Sequence, residues 1–241
     1  MQNFIEVENQ KINYTVVRSS RKTIGISLSL NYGVKVAAPR KVSDKRIAEV
    51  VNEKATWILE KLSYLENIKS EVPKMEFIDG EKLTVLGKEY TLKINMSSLT
   101  TIAFVNLSSN YLIVHLPQNI CINVSDLVRK HIVDWYKSYA KEVVSERIKF
   151  FAKIMDVIPA NLIIKDLKSI WGSCTSKNTI NINWKIILAP LEIVDYLVVH
   201  ELTHIKIKNH SKHFWKMAES ILPNYKACSK WLKQNGHKLT F

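Results

Sequence analysis

The chain has 241 residues, 46% of them hydrophobic and 24% charged, with a formal net charge of +13. That balance describes a folded protein of one large or two modest domains and excludes a disordered chain. No apolar run approaches the ~18 residues of a membrane span, and three widely spaced cysteines, Cys121, Cys174 and Cys228, make neither a disulfide framework nor a CxxC metal site. The opening MQNFIEVENQ lacks the basic start and apolar stretch of a signal peptide, so a cytoplasmic protein without a membrane anchor is expected. The basic excess makes nucleic acid a candidate secondary partner through a basic surface, although lysine predominates over the bidentate arginine.

Residues 4 to 38 read as strands. The stretch TIGISLSL alternates with period two, Asn31-Tyr32-Gly33 marks a turn, and Val34-Lys35-Val36 resumes a strand before Pro39. Ser43 is a candidate N-cap for one helix from about 44 to 68, with Ile47, Val50, Val51, Ile58, Leu62 and Leu65 at helical spacing. A linker containing Pro73 comes next. Residues 76 to 116 return to strands, with a hairpin turning at Gly87-Lys88 and a strand over YLIVHL that ends at Pro117. No internal repeat is visible. Ser125 is the candidate cap of a long helical stretch to about Met155, read as one helix or two and closed by Pro159. Two short strands, LII at 162–164 and TININW at 179–184, flank a WGSC turn, and the remainder is helical. The expected fold is α+β: a strand-rich N-terminal region with a helix (1–120), then a mainly helical domain with a small sheet (121–241).

The chemistry concentrates after Pro190. In PLEIVDYLVVHELTH the proline suits a first helical turn, Glu192 opposes the positive end of the helix dipole, and Ile193, Val194, Leu197, Val198 and Val199 make the helix apolar on most of its circumference. Such a helix is buried, and buried histidines and carboxylates need partners. His200 and His204, four residues apart, project from one face at adjacent turns, a spacing that lets two imidazoles reach one zinc ion. Glu201, one residue round, is placed to take a proton from water at the metal rather than to bind it. A third ligand is required for a catalytic site. His210 is the nearest, with Asn209 suited to a left-handed turn on the way back; His213, His237 and Glu219 are alternatives. Ser211 and Asn224 are candidate caps of two further helices, in which Phe214, Met217, Tyr225, Cys228 and Trp231 read as core.

The segments WGSC (171–174), NINW (181–184), LAP (188–190), DYLVVHELTH (195–204), NHSKHFW (209–215) and LPNY (222–225) together resemble the YgjP-like family of bacterial metallopeptidases, a zincin branch related to the SprT-like and WLM peptidases. RSSRKTIGISL, VKVAAPRKVSD and WILEKL extend the likeness toward the N-terminus. The resemblance implies a zincin-like catalytic domain with His200, His204 and His210 as zinc ligands and Glu201 as the catalytic residue. This chain carries Ile170 where the family usually has an arginine before WGSC, and Ile207 where metzincins have glycine.

The expectation is therefore a zinc-dependent metallopeptidase acting on peptide or protein substrates. Trp171, Gly172, Ser173, Cys174, Asn181 and Asn183 are candidates to line the substrate cleft, because a strand beside the helix can pair with an extended peptide. Cys174 is also a candidate regulatory metal ligand. The alternative is a nucleic-acid-associated binding protein with a structural or vestigial zinc site; an intact Glu201 speaks against it, since a structural site has no use for a base.

Overall fold

The computed structural model describes residues 2–7, 10–29, 32–71, 75–119 and 123–241. Leu30, Asn31, the linker residue Pro73 and Cys121 lie outside them. The chain is α+β and divides into two compact units, Met1–Pro73 and Lys74–Phe241.

In the first unit, strands β1 (Gln2–Val7), β2 (Gln10–Ser19), β3 (Gly25–Ser29) and β4 (Gly33–Pro39) form one sheet in the order β1-β2-β4-β3. Alternation along β4 turns Val34, Val36 and Ala38 inward. They meet Ile47 and Val51 of α1 (Asp44–Glu53) and Ala55 and Ile58 of α2 (Ala55–Glu71) in a core of their own. Ser43 caps α1 as expected, accepting from Arg46 N. The single predicted helix is two, because Lys54 leaves helical geometry at φ −107°, ψ 10°. Apolar periodicity runs straight through that break and conceals it.

In the second unit, β5 (Lys82–Val85), β6 (Lys88–Ser97), β7 (Phe104–Leu107) and β8 (Tyr111–Pro117) form a sheet in the order β5-β6-β8-β7. The β5–β6 turn is Leu86-Gly87, both at positive φ, one residue earlier than the spacing suggests. Helix α3 (Val124–Met155) is unbroken, capped by Asn123 and closed by Asp156 in the left-handed conformation. The unit boundary falls at 73/74 rather than near residue 120 because this sheet shares its core with α3 and the segments C-terminal to it. Leu83, Leu92, Leu112 and Val114 belong to one cluster with Ile132, Tyr136 and Ile187. Tyr136 Oη donates to Thr84 O at 2.9 Å, and Leu86 N donates to Ile187 O at 2.7 Å.

The two sheets repeat one topology that the sequence conceals. In each, an antiparallel pair, a parallel pair and a second antiparallel pair occur in the same order. The parallel registers end on Ser19↔Pro39 and Ser97↔Pro117, both spanning the same interval of chain. A helix follows each sheet: α1 is capped by Ser43, while Val124-Ser125-Asp126 forms the first turn of α3, whose cap is Asn123 and not Ser125.

The rest of the second unit carries β9 (Asn161–Lys165), β10 (Gly172–Cys174) and β11 (Thr179–Asn183), a small sheet in the order β10-β11-β9 with β10 at its edge. A 3-10 turn (Trp184–Leu188) leads to α4 (Leu191–Lys206), then α5 (Lys212–Ile221) and α6 (Tyr225–Asn235). Arg147 of α3 holds Asp195 of α4 through two bonds of 2.5 and 2.8 Å. No helix among the described residues is long and apolar enough to cross a membrane.

Candidate metal centre

Helix α4 is buried along most of its length, as its composition requires. Pro190 stands at its N-cap and Glu192 in its first turn. Near its C-terminal end, His200 and His204 face one side, and Glu201 is only 3% exposed. The helix ends when Ile207 turns extended (φ −130°, ψ 103°) with its N–H still on Thr203 O. That turn does the work expected of Asn209, which is not among the residues at positive φ. The chain then reverses into α5, whose N-cap is Ser211, and this reversal brings His210 back over α4.

The result is a convergence of three imidazoles. His210 Nε2 lies 3.0 Å from His200 Nε2 and 3.2 Å from His204 Nε2. Among the described residues these three form the one histidine, cysteine and carboxylate group able to hold a metal ion; His213, Glu219, His237 and Cys174 are not in it. Tetrahedral ligation with Zn–N bonds of about 2.0–2.1 Å places ligand nitrogens about 3.3 Å apart, so the observed spacing fits such an ion. His204 Nδ1 sits 3.1 Å from Ile207 O. A carbonyl only accepts, so Nδ1 carries the proton and Nε2 keeps its lone pair for the cluster. Burial, with neighbouring imidazoles, pushes His200 down to about 4, and burial also lowers His204. Both are therefore neutral near pH 7, as ligation requires.

Phe214, wholly buried, lies 4.6 to 5.0 Å from all three imidazole centroids. Trp215 stacks on His210 and in turn on Tyr225. Sequence alone marks Phe214 and Tyr225 as core and not as neighbours of the histidines. Phe214 comes four residues after His210, and that spacing is the available signal that the ring sits under the cluster. Tyr225 and Cys228 are buried, as expected.

Glu201 is isolated. Desolvation pushes its carboxyl up to about 8, and Oε2 has no hydrogen-bond partner among the described residues. The residue pressed against it is Gly172. A Cβ built there would lie 2.7 Å from Oε1 and 3.0 Å from Cδ and Cγ. The WGSC segment thus packs its one residue without a side chain against the carboxyl.

The other predicted cleft residues separate into two groups. Trp171, Gly172, Ser173 and Cys174 are half-buried along the edge strand. Asn181 and Asn183 are buried and already engaged: Asn181 Nδ2 donates to Ser173 Oγ, while Asn183 Nδ2 donates to Leu167 O and its Oδ1 accepts from Lys185 N.

Three convergent histidines beside a buried glutamate, on an α+β frame, match the class of metallopeptidases. The chain belongs to the YgjP-like family: the profile of the YgjP-like metallopeptidase domain matches residues 22–235. Among solved structures, the crystal structure of the metallopeptidase zymogen of Pyrococcus abyssi abylysin is similar at 21% identity and a TM-score of 0.35, over 38% of this chain and 93% of that one. A search of curated proteins gives no match.

Proposed function

We propose that the chain is a zinc peptidase in which His200, His204 and His210 hold the ion and Glu201 is the general base. The observation that carries this reading is the approach of three Nε2 atoms to within 4.8 Å of one another beside an unpartnered carboxyl. Zinc held in this way supplies Lewis acidity, polarising a scissile carbonyl and making water nucleophilic near neutral pH.

Glu201 takes the proton from the attacking water and returns it to the leaving amine. A zinc ion on the neighbouring histidines would favour the carboxylate form of Glu201, the form that accepts a proton. Phe214 fixes the imidazole planes from below. The free edge of β10 offers main-chain donors and acceptors to an extended peptide, with Trp171, Gly172, Ser173 and Cys174 along it. Asn181 and Asn183 act on substrate indirectly, by holding that edge in place.

The test pairs metal analysis with turnover. Wild-type protein should hold one zinc, lost in His200→Ala and His204→Ala. Glu201→Gln should keep the zinc and lose about 10²–10⁴-fold in kcat. Undiminished zinc in both histidine variants, or wild-type turnover by Glu201→Gln, refutes the assignment.

A further inference from the structure

Beside Glu201 and His200 lies a cavity of about 300 Å³ that the reaction chemistry does not use. One wall is α4, through Tyr196 and Leu197. The opposite wall is α6, through Leu232 and Ser229. Ile170 and Trp171, from the loop before β10, form the third side. Tyr196, Leu197 and Leu232 are buried, so the walls are fixed by the core rather than by mobile side chains. Tyr196 faces Ser229 of α6, and the buried polar atoms of the lining without a partner, His200 Nδ1 and Glu201 Oε2, belong to the proposed metal site. Lys233 reaches the cavity from an exposed position. Glu201, the proposed base, is the one carboxylate on the lining. A cationic side chain would therefore meet Lys233 and no structural counter-ion.

Ile170 is 48% exposed. It lines the cavity with part of its apolar side chain still open to an incoming group. The volume is at the small end of the ~300–1,000 Å³ range for ligand pockets, which suits one side chain rather than a longer segment.

We propose that this cavity receives a single apolar side chain next to the scissile bond, such as leucine, methionine or phenylalanine, and that Ile170 determines the specificity. The proposal rests on the peptidase reading for its catalytic consequence, though not for the binding itself. Burying such a side chain favours it over glycine by about 10–200-fold in kcat/KM.

Two measurements on the full chain keep the two ideas apart. In the first, N-acetyl-leucinamide, N-acetyl-phenylalaninamide and N-acetyl-glycinamide are titrated against methyl-labelled protein and followed by NMR. The leucine and phenylalanine amides should shift the methyls of Ile170, Leu197 and Leu232, and the glycine amide should not. In the second, zinc-loaded protein cuts a mixed peptide pool. Cut sites should be enriched in leucine, methionine or phenylalanine at one flanking position, and Ile170→Arg should lose both the enrichment and the methyl shifts of Leu197 and Leu232. Methyls unmoved by all three amides, or cleavage without enrichment, overturns the pocket. Selective methyl shifts in a protein that cuts no peptide would uphold the pocket and refute the peptidase.

Discussion

Gly172→Ala tests how closely the edge strand and the carboxyl depend on each other. The added Cβ would sit 2.7 Å from Glu201 Oε1, where ordinary contact begins at 3.4 Å. Something must therefore move by about 0.7 Å, and overpacking of this kind costs about 1–3 kcal/mol. The carboxyl is the end of a flexible side chain and yields more easily than the strand, so the displacement falls on the proposed base. A misplacement near 1 Å at a reacting group lowers turnover by about 10²-fold. The expected result is kcat down about 10–100-fold with zinc content unchanged, because the three atoms nearest the new methyl group all belong to Glu201. Turnover of a quenched fluorogenic peptide at saturating concentration, alongside metal analysis of the same sample, reads both quantities. A variant with kcat within about twofold of wild type would show that the carboxyl is free to move without consequence, and the tight approach would then have no mechanistic meaning.

The same geometry sets three other outcomes. In metal-free protein, Glu201 is raised from 4.5 to about 8, so the folded state keeps a proton the unfolded chain has lost and stability falls as pH rises through that window. His200, lowered from 6.5 to about 4, acts in the opposite sense, and its effect is complete above pH 6.5. Between those limits, from pH 6.5 to 8, urea midpoints should report a loss of roughly 1.5 kcal/mol that Glu201→Gln removes; equal slopes in the two proteins would contradict the burial argument. Asp195→Ala leaves the Arg147 guanidinium without its bidentate partner, and chemical denaturation should show a loss of about 2–4 kcal/mol; a change under about 0.5 kcal/mol would mean the pair is solvated. Residues 74–241 carry their own core and all four proposed site residues, so this fragment should melt cooperatively and bind one zinc; an unfolded or zinc-free fragment would show that the first unit is needed.

Local physics is easy to read in this chain, and long-range placement is not. Helix α4 announces itself because an apolar run interrupted by His200, Glu201 and His204 has few physical explanations. Ser43 declares its helix start through a side chain that accepts from Arg46 N, while Ser211 and Asn224 hold the N-cap positions expected of them without a side-chain cap bond. The break at Lys54 is hidden, since Ile47, Val51, Ile58 and Leu62 keep one periodicity across it. A boundary near residue 120 is misplaced because composition does not reveal that Leu83 and Leu112 pack with Ile132 and Tyr136. Gly172 reads as part of a cleft. Its contact with Glu201 joins positions 29 apart in sequence, and no pattern of periodicity encodes that contact. The same holds for Leu197 and Leu232, which face each other across the cavity from different helices.

The doubled sheet bears on how such a protein is put together. Two copies of one four-strand design stand in one chain, with the same pairing order and crossovers of the same length. His200, Glu201, His204 and His210 all lie beyond the doubled portion, in α4 and the turn after it. The four-strand platform is thus present twice and the proposed site once. Whatever the first copy contributes, it supplies none of the four side chains proposed to act at the metal.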